Sequence, residues 1–503
     1  MRYRRAAAAW LPRRPDRQPR RPRWWPSAHA PAADAGPAHR LRRTPPCSGK
    51  GAARQPRFPT PDPDPALQQH FPLHQVARRR DDGRLSQRAR SSQDDFLDDL
   101  LRLTDQCVKC GYCLPHCPTF RLRQDEAESP RGRVALIQGL LSDELGDSPR
   151  LRGHLGNCLE CLACEPACPS LVQFGTLMDG ARARLVERRP RWRRRLLRTR
   201  LDLLASPRLL PLPALLARIY RGLGLGTALR RLGLLRRGLP AVLDGILMRL
   251  RSPARPGQVR SAPPRAATAA GAELPEIALF LGCVSRALEP GVAAAAASVL
   301  RRLGHAVQVP DAQGCCGAMH RHNGLPDQAD ALLVHNRSVF GDRRVAGLSS
   351  ACVAELQQGL DAVELCRLLV DLDWPAHVRP RPLPATVAVH EPCSHRNQLR
   401  DAAAIYALLA RIPALRVEPL PGNERCCGAA GAYLLDHPDT ALALAAEKVR
   451  HVAALAPRYL VTTNTGCAAH LAARLRADAQ TVEVLHPVEL LARQLDLPLE
   501  QDA

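Results

Sequence analysis

The sequence lacks several features that would assign a class at once. Aromatic residues make up only 4% of its 503 residues, and no window holds the roughly 18 consecutive apolar residues of a membrane-spanning helix. No Gly-x-Gly-x-x-Gly motif follows a strand-like run, and the first segment has no uninterrupted apolar core of a signal peptide. We therefore expect neither a transmembrane helix nor a nucleotide or flavin site in this chain.

Positive charge is plentiful but unevenly distributed. The net charge is +24, and residues 1–90 carry 21 Lys and Arg against 6 Asp and Glu. This Pro- and Arg-rich segment has no helical or strand periodicity and cannot bury enough apolar surface to offset its ordering entropy. We expect residues 1–90 to be a disordered basic tail. A basic arm for nucleic acid or anionic lipid, or an over-extended gene start, are the alternatives.

Cysteine is the informative residue type. There are 18 cysteines, most of them in tight groups with a neighbouring proline. In a large chain such spacings are typical of metal ligands rather than of disulfides, and thiolate ligands imply a reducing compartment, so we expect the cytoplasm.

Two groups have the spacing C-x2-C-x2-C-x3-C-P, at 107–118 and at 158–169. In two-cluster ferredoxins three cysteines of each motif ligate one [4Fe–4S] cluster and the fourth ligates the other. Zinc ribbons instead use two separated C-x2-C pairs. We thus predict an α+β ferredoxin-like, largely helical module over 95–190 with two [4Fe–4S] clusters. The predicted ligands are Cys107, Cys110, Cys113 and Cys168 for the first cluster, and Cys158, Cys161, Cys164 and Cys117 for the second.

Between the motifs, Ser129 and Pro130 predict the start of a helix. Arg131 and Arg133 follow in its first turn. They either lie beside the clusters, where they would stabilise negative charge, or are solvated.

Residues 191–275 predict a linker of short basic amphipathic helices, interrupted at Pro211, Pro213 and Pro240, with an irregular end over 252–275. Such helices pack on a neighbouring domain or lie on an anionic membrane surface. We favour packing and keep peripheral membrane contact as the alternative.

The rest of the chain is an internal repeat. Each copy reads as apolar strand, Cys, helix, Cys-Cys-Gly, helix, Cys, with 31 and 32 residues from the first Cys to the pair and 35 and 39 to the last. This alternation predicts two α/β domains, over 276–370 and 380–503, with helices at about 290–303 and 402–411. The repeated cysteines are Cys283, Cys315, Cys316 and Cys352 in the first copy, and Cys393, Cys426, Cys427 and Cys467 in the second.

Four thiolates converge in each predicted repeat domain, which makes both of them candidates for a further iron–sulfur centre. Gly317 and Gly428 are expected to let the backbone approach a cofactor closely. The strand before Cys352 is poor in strand-forming residues, so the second site is the better candidate. Cys47 and Cys366 belong to no group and are expected to be structural.

The order of two ferredoxin motifs, helical linker and two Cys-Cys-Gly (CCG) domains resembles the family of glycolate oxidase (glycolate dehydrogenase) iron–sulfur subunits, from about residue 95 to the end. CVKCGYCLPHCPTF at 107–120, SPRGRVALIQGLL at 129–141, CCGAAGAYLL at 426–435 and GCAAHL at 466–471 carry the resemblance. The wider relatives include lactate-utilisation proteins, the glycerol-3-phosphate dehydrogenase C subunit and heterodisulfide reductase.

This resemblance implies an electron-transfer subunit that takes electrons from a FAD-containing partner and passes them towards quinone or another acceptor, with no nucleic-acid partner. A catalytic CCG enzyme of the heterodisulfide type, or a subunit of a lactate or glycerol-3-phosphate dehydrogenase, is the alternative. His470 and Glu355 stand where the wider relatives have a final Cys, and Ala351 replaces the usual Gly. A five-thiolate centre is therefore not expected, whereas His470 is expected near the second site.

The tail gives the first testable prediction. Deleting residues 1–90 should leave iron content and electron transfer unchanged, because the segment has no core to contribute. Iron analysis and activity of the truncated protein test this. Loss of partner binding, or of binding to anionic membranes, would show that the tail is functional.

Overall fold

A computed structural model gives the fold from the first cysteine motif onward. The structure describes four stretches of the chain: 96–206, 211–235, 237–250 and 276–497. The tail predicted over 1–90 and the irregular linker predicted over 252–275 lie outside these stretches. All described residues belong to one unit of the chain, residues 80–503.

The cysteine module is helical. Its elements are α1 (96–105), α2 (Pro118–Arg123), a short 3-10 helix (Glu126–Glu128), α3 (Pro130–Leu141), α4 (Pro149–Gly156) and α5 (Phe174–Glu187). As predicted, α3 starts at Pro130, and the Ser129 hydroxyl accepts a hydrogen bond from the Gly132 N–H at 2.9 Å. Ile137 of α3 and Leu177 of α5 pack in a shared core. The largely helical character is confirmed, whereas the predicted α+β ferredoxin-like character is not, because no strand occurs between residues 96 and 187.

Four linker helices follow: α6 (Arg191–Ala205), α7 (Pro211–Gly222), α8 (Leu225–Arg231) and α9 (Gly238–Arg249). The three prolines lie in the first turns of α7 and α9, where the missing N–H is tolerated, so they mark helix starts. Helix α9 packs on the second repeat, since a Cβ added at Gly245 would lie 2.5 Å from the Ala473 Cβ. Across the described residues, no helix is long and apolar enough to cross a membrane.

The first repeat copy is a four-stranded parallel sheet covered by helices. Strand β1 lies between β2 and β3, and β4 pairs with β3. Its elements are β1 (Ile277–Phe280), α10 (Ser285–Leu288), α11 (Pro290–Arg302), β2 (Val307–Gln308), α12 (Ala318–Arg321), α13 (Pro326–Phe340), β3 (Val345–Gly347), α14 (Ser350–Leu356), β4 (Ala362–Glu364) and α15 (Leu365–Asp371).

The second copy repeats this topology, in the order β6-β5-β7-β8, so the predicted pair of α/β domains is confirmed. Its elements are β5 (Ala385–Val389), a π-helical turn (Ser394–Gln398), α16 (Ala403–Leu409), β6 (Leu415–Pro419), α17 (Tyr433–Asp436), α18 (Pro438–Leu455), β7 (Tyr459–Val461), α19 (Thr465–Ala477), β8 (Glu483–Leu485) and α20 (Pro487–Gln494). The domain boundaries drawn from the sequence stay predictions.

The two copies meet at the carboxyl ends of their strands. The Ser350 hydroxyl, after β3, lies 2.7 Å from that of Ser394, after β5. The Ser285 hydroxyl, after β1, lies 2.7 Å from that of Thr465, after β7. One apolar core contains Leu279 and residues of β5. The first cysteine of each copy therefore lies close to the seam between the copies.

The structure adds detail to two local expectations. Strand β3, expected to be poor, is only three residues long but is fully buried between β1 and β4, because pairing on both sides compensates for weak propensity. Gly317 and Gly428 have φ of 101° and 93°, but a Cβ there would lie 3.0 Å from the Ala329 backbone and 2.7 Å from the Ala441 carbonyl oxygen. These glycines allow close packing of α13 and α18, and their approach to a cofactor stays a prediction.

Candidate cysteine-lined metal sites

The interior site of the module is a pocket lined by Cys117, Cys158, Cys161 and Cys164. Its cavity volume is about 20 Å³, and all four cysteines are buried. Cys117 comes from the first motif and the other three from the second, as in the predicted second ligand set. The structure thus brings these four residues together, while their role as ligands stays a prediction.

Both motif loops adopt the same unusual backbone conformation. Lys109 and Gly111 have φ of 57° and 90°, and the matching Glu160 and Leu162 have φ of 49° and 53°. Left-handed conformations are uncommon outside glycine, and here they turn each loop sharply around its sulfur atoms. The Glu160 N–H also points at the Cys158 sulfur, 3.4 Å away. The two loops are therefore built alike although their sequences differ.

The surface site holds the other motif. Cys107 and Cys113 are half-buried and pack, with Cys168, against the core of the module, whereas Cys110 is exposed. Burial raises the pKa of Cys113 to about 11. Large apolar side chains next to these cysteines are exposed to solvent: Val108, Tyr112 and Leu171. This site therefore lies at the protein surface with an apolar rim.

The arginines of α3 lie beside the cysteines. Arg133 is 1% exposed, forms an ion pair with Glu128 at 2.6 Å and directs its guanidinium at the Cys117 sulfur, 3.8 Å away. Burial lowers the pKa of Arg133, but the negative charge that Cys158, Cys117 and Glu128 can carry outweighs this effect and raises it. Arg131 is partly exposed and donates to the Lys109 carbonyl at 3.0 Å. Arg133 is therefore not solvated but lies beside the cysteines.

The sulfur donors fit iron–sulfur clusters. Burial raises the pKa of Cys161 and Cys164 well above that of a free thiol, so a metal must displace the protons before these sulfurs act as thiolates. Four sulfur donors at this spacing match a [4Fe–4S] site. When bound, such a cluster supplies one-electron transfer.

The second repeat gathers its four cysteines. The sulfur atoms of Cys393 and Cys426 are 4.0 Å apart, and those of Cys427 and Cys467 are 3.1 Å apart. Cys467 lies in the first turn of α19, and the other three lie in loops after β5 and β6. All four are fully or mostly buried. The predicted convergence of thiols is therefore present.

Two residues near these thiols escaped the sequence analysis. A ring nitrogen of His390 lies within 4.8 Å of the Cys427 and Cys467 sulfurs. Burial, together with the charge on Lys448, lowers the pKa of His390 well below its usual range, so the imidazole is neutral. Lys448 is itself buried, and its charge interacts with the Cys427 and Cys426 sulfurs. His390 precedes Cys393 by three residues, which was the only available signal.

His470, expected near this site, has another partner. It lies one turn along α19 from Cys467, but its Nε2 atom is 3.0 Å from the Ala441 carbonyl oxygen. Burial lowers its pKa to about 4, so a neutral ring donates this hydrogen bond. His470 is only three residues from Cys467, but its ring is directed at the Ala441 carbonyl rather than at the sulfurs.

The first repeat gathers its cysteines in a different environment. The Cys283 and Cys315 sulfurs are 3.5 Å apart, and Cys316 and Cys352 belong to the same cluster of side chains. Phe280 occupies the position that His390 has in the second copy. Arg286 is buried beside Cys283, and its Nε and Nη2 atoms meet no hydrogen-bond partner.

Cys366, expected to be structural, is fully buried at the start of α15. Cys47 lies outside the described residues.

The interior site of the module adjoins the second repeat. Cys161 shares one apolar cluster with Cys393 and Cys426, and the Asn397 side chain donates to the Cys161 carbonyl at 2.7 Å. The Tyr433 hydroxyl donates to Asn157 at 2.9 Å. Two groups of cysteines that are more than 200 residues apart in sequence are therefore direct neighbours.

Family comparisons agree with this division. Residues 104–172 match the model of the 4Fe-4S dicluster domain. Residues 277–356 and 387–472 each match the model of the cysteine-rich domain known as CCG. The module and both repeat copies are therefore recognised independently.

Three relatives illustrate the similarity. The glycolate oxidase iron-sulfur subunit of Escherichia coli (strain K12) is 30% identical over 79% of this chain and 95% of that protein. The probable glycolate oxidase iron-sulfur subunit of Bacillus subtilis (strain 168) is 26% identical over 76% of this chain and 92% of that protein. Lactate utilization protein A of Shouchella clausii (strain KSM-K16) is 25% identical over 43% of this chain and 98% of that protein. With its dicluster module and both cysteine-rich repeats, this chain belongs to the family of glycolate oxidase iron–sulfur subunits.

Proposed function

We propose that this chain is the electron-transfer subunit of a glycolate (2-hydroxy acid) dehydrogenase complex. A FAD-containing subunit would oxidise the substrate, and this chain would carry the electrons towards quinone. Two relatives that align with more than three quarters of this chain bear the name of that oxidase subunit. The thiolate sites further suggest a reducing compartment, so we propose the cytoplasm.

The contact between Cys161 and the second repeat supports this function best. One-electron transfer requires closely spaced centres, and the interior site shares its apolar wall with Cys393 and Cys426. The Asn397 hydrogen bond fixes the Cys161 backbone against the repeat. We propose that electrons pass between a cluster held by Cys117, Cys158, Cys161 and Cys164 and a third centre held by Cys393, Cys426, Cys427 and Cys467.

The surface site would exchange electrons with the flavin subunit. Its proposed ligands are Cys107, Cys110, Cys113 and Cys168. Exposure of Cys110 brings this cluster within reach of another protein, and the exposed Val108, Tyr112 and Leu171 offer apolar contact area around it. The route would run from the flavin to the surface cluster, then to the interior cluster and the third centre.

Burial argues against catalysis of the heterodisulfide type. Cys426 and Cys427 are 4% and 1% exposed, so a bulky disulfide substrate has no access to their sulfur atoms. Electrons can reach a buried centre where a substrate cannot. A role in lactate oxidation is also less favoured, because lactate utilization protein A aligns with only 43% of this chain.

Peripheral membrane contact would bring the chain to quinone. Helix α6 exposes Trp192, Leu196 and Leu203 together with several arginines, and α7 exposes Leu215 and Leu216. Apolar side chains interleaved with arginine suit an anionic membrane surface. We propose that α6 and α7 form this contact, while α9 packs on the second repeat.

Vesicle flotation tests the membrane contact. Replacing Trp192 and Leu196 by Ser should weaken binding of the full-length protein to phosphatidylglycerol vesicles by about tenfold, because apolar area is lost at the surface. Val334→Ser, an exposed apolar position on α13, should have no effect. Equal binding by all three proteins would refute a role for α6.

Iron content tests the two clusters of the module. Anaerobically prepared protein should hold about eight iron atoms in the module, four in each cubane. Cys110→Ser should remove or alter the surface cluster and leave the interior signal, because Cys110 lies outside the interior pocket. If a 95–190 fragment binds zinc and shows no reducible cubane signal, the central proposal fails.

Cys427→Ser tests the third centre. It should abolish glycolate-dependent quinone reduction by the complex, because the last centre of the route is lost. Both cubane signals and reduction of the flavin by glycolate should persist. Cys366→Ser, a buried cysteine outside the groups, is the matched control and should keep activity.

Full activity of Cys427→Ser would make the second repeat structural, and loss of flavin reduction would assign it to docking of the partner. The first-repeat cysteines should be less sensitive, because Ala351 replaces the usual Gly before Cys352 and the strand before it, β3, is only three residues long.

A further inference from the structure

Among the residues that the structure describes, His390 is the imidazole directed at the cysteines of the second repeat. It follows directly after β5 and is 1% exposed. One of its ring nitrogens lies within 4.8 Å of the sulfurs of Cys427 and Cys467, which are also buried. Cys393 lies three residues later, and its sulfur is 4.0 Å from the Cys426 sulfur. These two sulfurs belong to the same group.

The imidazole makes no well-formed hydrogen bond to the protein. Neither Nδ1 nor Nε2 of His390 meets a partner with good hydrogen-bond geometry, and the nearby Asn423 side chain contributes only a weak polar interaction. The nearby Asn423 side chain uses its carbonyl oxygen to accept from the Glu391 N–H and its amide to donate to the Val389 carbonyl. A buried polar group without a well-formed hydrogen bond is destabilising. A ligand beside the sulfurs would give the His390 nitrogen the partner that the protein does not supply.

The first copy provides an internal comparison. Phe280 stands three residues before Cys283, as His390 stands three residues before Cys393. The Phe280 ring packs against Phe340, with ring centroids 6.1 Å apart. One fold therefore presents four sulfurs and an apolar ring in the first copy, and four sulfurs and a nitrogen donor in the second. If this side chain only had to fill space, a phenyl ring would do so in both copies.

We propose that His390 is a nitrogen ligand of the third centre, together with Cys393, Cys426, Cys427 and Cys467, and raises its reduction potential. This inference rests on the proposed third centre. A neutral imidazole adds no negative charge, unlike a fifth thiolate, so the reduced state of the centre is less disfavoured. Histidine ligation has this effect in Rieske centres. Electrons would then run downhill from the interior cubane into the second repeat.

Isotope labelling tests the ligand without any substitution. Full-length protein is prepared anaerobically with ¹⁵N-histidine and brought to the redox state in which the third centre is paramagnetic. Pulsed electron paramagnetic resonance should detect a nitrogen hyperfine coupling in unlabelled protein, and labelling should convert it to the ¹⁵N pattern. A third centre without histidine coupling overturns the His390 inference and leaves the proposed relay standing.

Substitutions then identify the residue. His390→Phe, which copies the first repeat, and His390→Cys should both abolish the coupling. His390→Cys should also lower the midpoint potential of the third centre, while both cubane potentials stay unchanged. His470→Gln, which keeps a donor for the Ala441 carbonyl, should retain coupling and potential. Coupling that survives in His390→Phe refutes the proposal. Iron analysis and spectra with only two cubanes in the wild type refute the third centre itself, and His390 ligation with it.

Discussion

A thiolate taken out of water needs a counter-charge or a metal, and this requirement determines where the parts of the protein lie. Burial raises the pKa of Cys161 and Cys164 far above that of a free thiol, so these residues are thiolates only with metal bound. Arg133 supplies positive charge beside Cys117 and is itself held by the buried Glu128. The helices of the module and the second repeat close around this arrangement. Metal binding and packing are thus coupled.

Duplication gave two sheets of the same order but two different chemical environments. In the first copy Asn336 accepts from the Gly314 N–H and donates to the Cys315 carbonyl, which ties the loop to α13 with neutral groups. At the matching place on α18, Lys448 brings a buried charge close to Cys426 and Cys427. The second copy also has His390 where the first has Phe280, which adds a further polar group beside its sulfurs. A polar, charged environment suits a centre that changes oxidation state. The second copy places a lysine and a histidine beside its sulfurs, whereas the first has the buried Arg286 beside Cys283.

Local spacing made much of this predictable. Four cysteines within eleven residues specify one cluster motif, and the crossed position of Cys117 follows from the chemistry of that motif. The alternation of apolar runs and helices gave both repeat domains, because parallel strands and their helices have distinct periods. The position of His390 near the sulfurs depends on where β5 ends relative to α19. The position of Arg133 depends on how the chain places Glu128 beside it. Neither spatial relation can be predicted from a short stretch of sequence. The contact between Cys161 and Cys393 joins segments that only tertiary packing brings together.

The unequal burial of the two cysteine groups in the module has a consequence for the lifetime of the protein in air. Oxygen and peroxide attack sulfur that they can reach, and Cys110 is exposed while the interior cysteines lie behind helices and the second repeat. Oxidative damage should begin at the outer cluster. In the proposed relay, a chain that has lost this cluster alone would keep its inner centres but could no longer receive electrons. Isolation of the inner centres would protect the cell from stray one-electron reduction of oxygen.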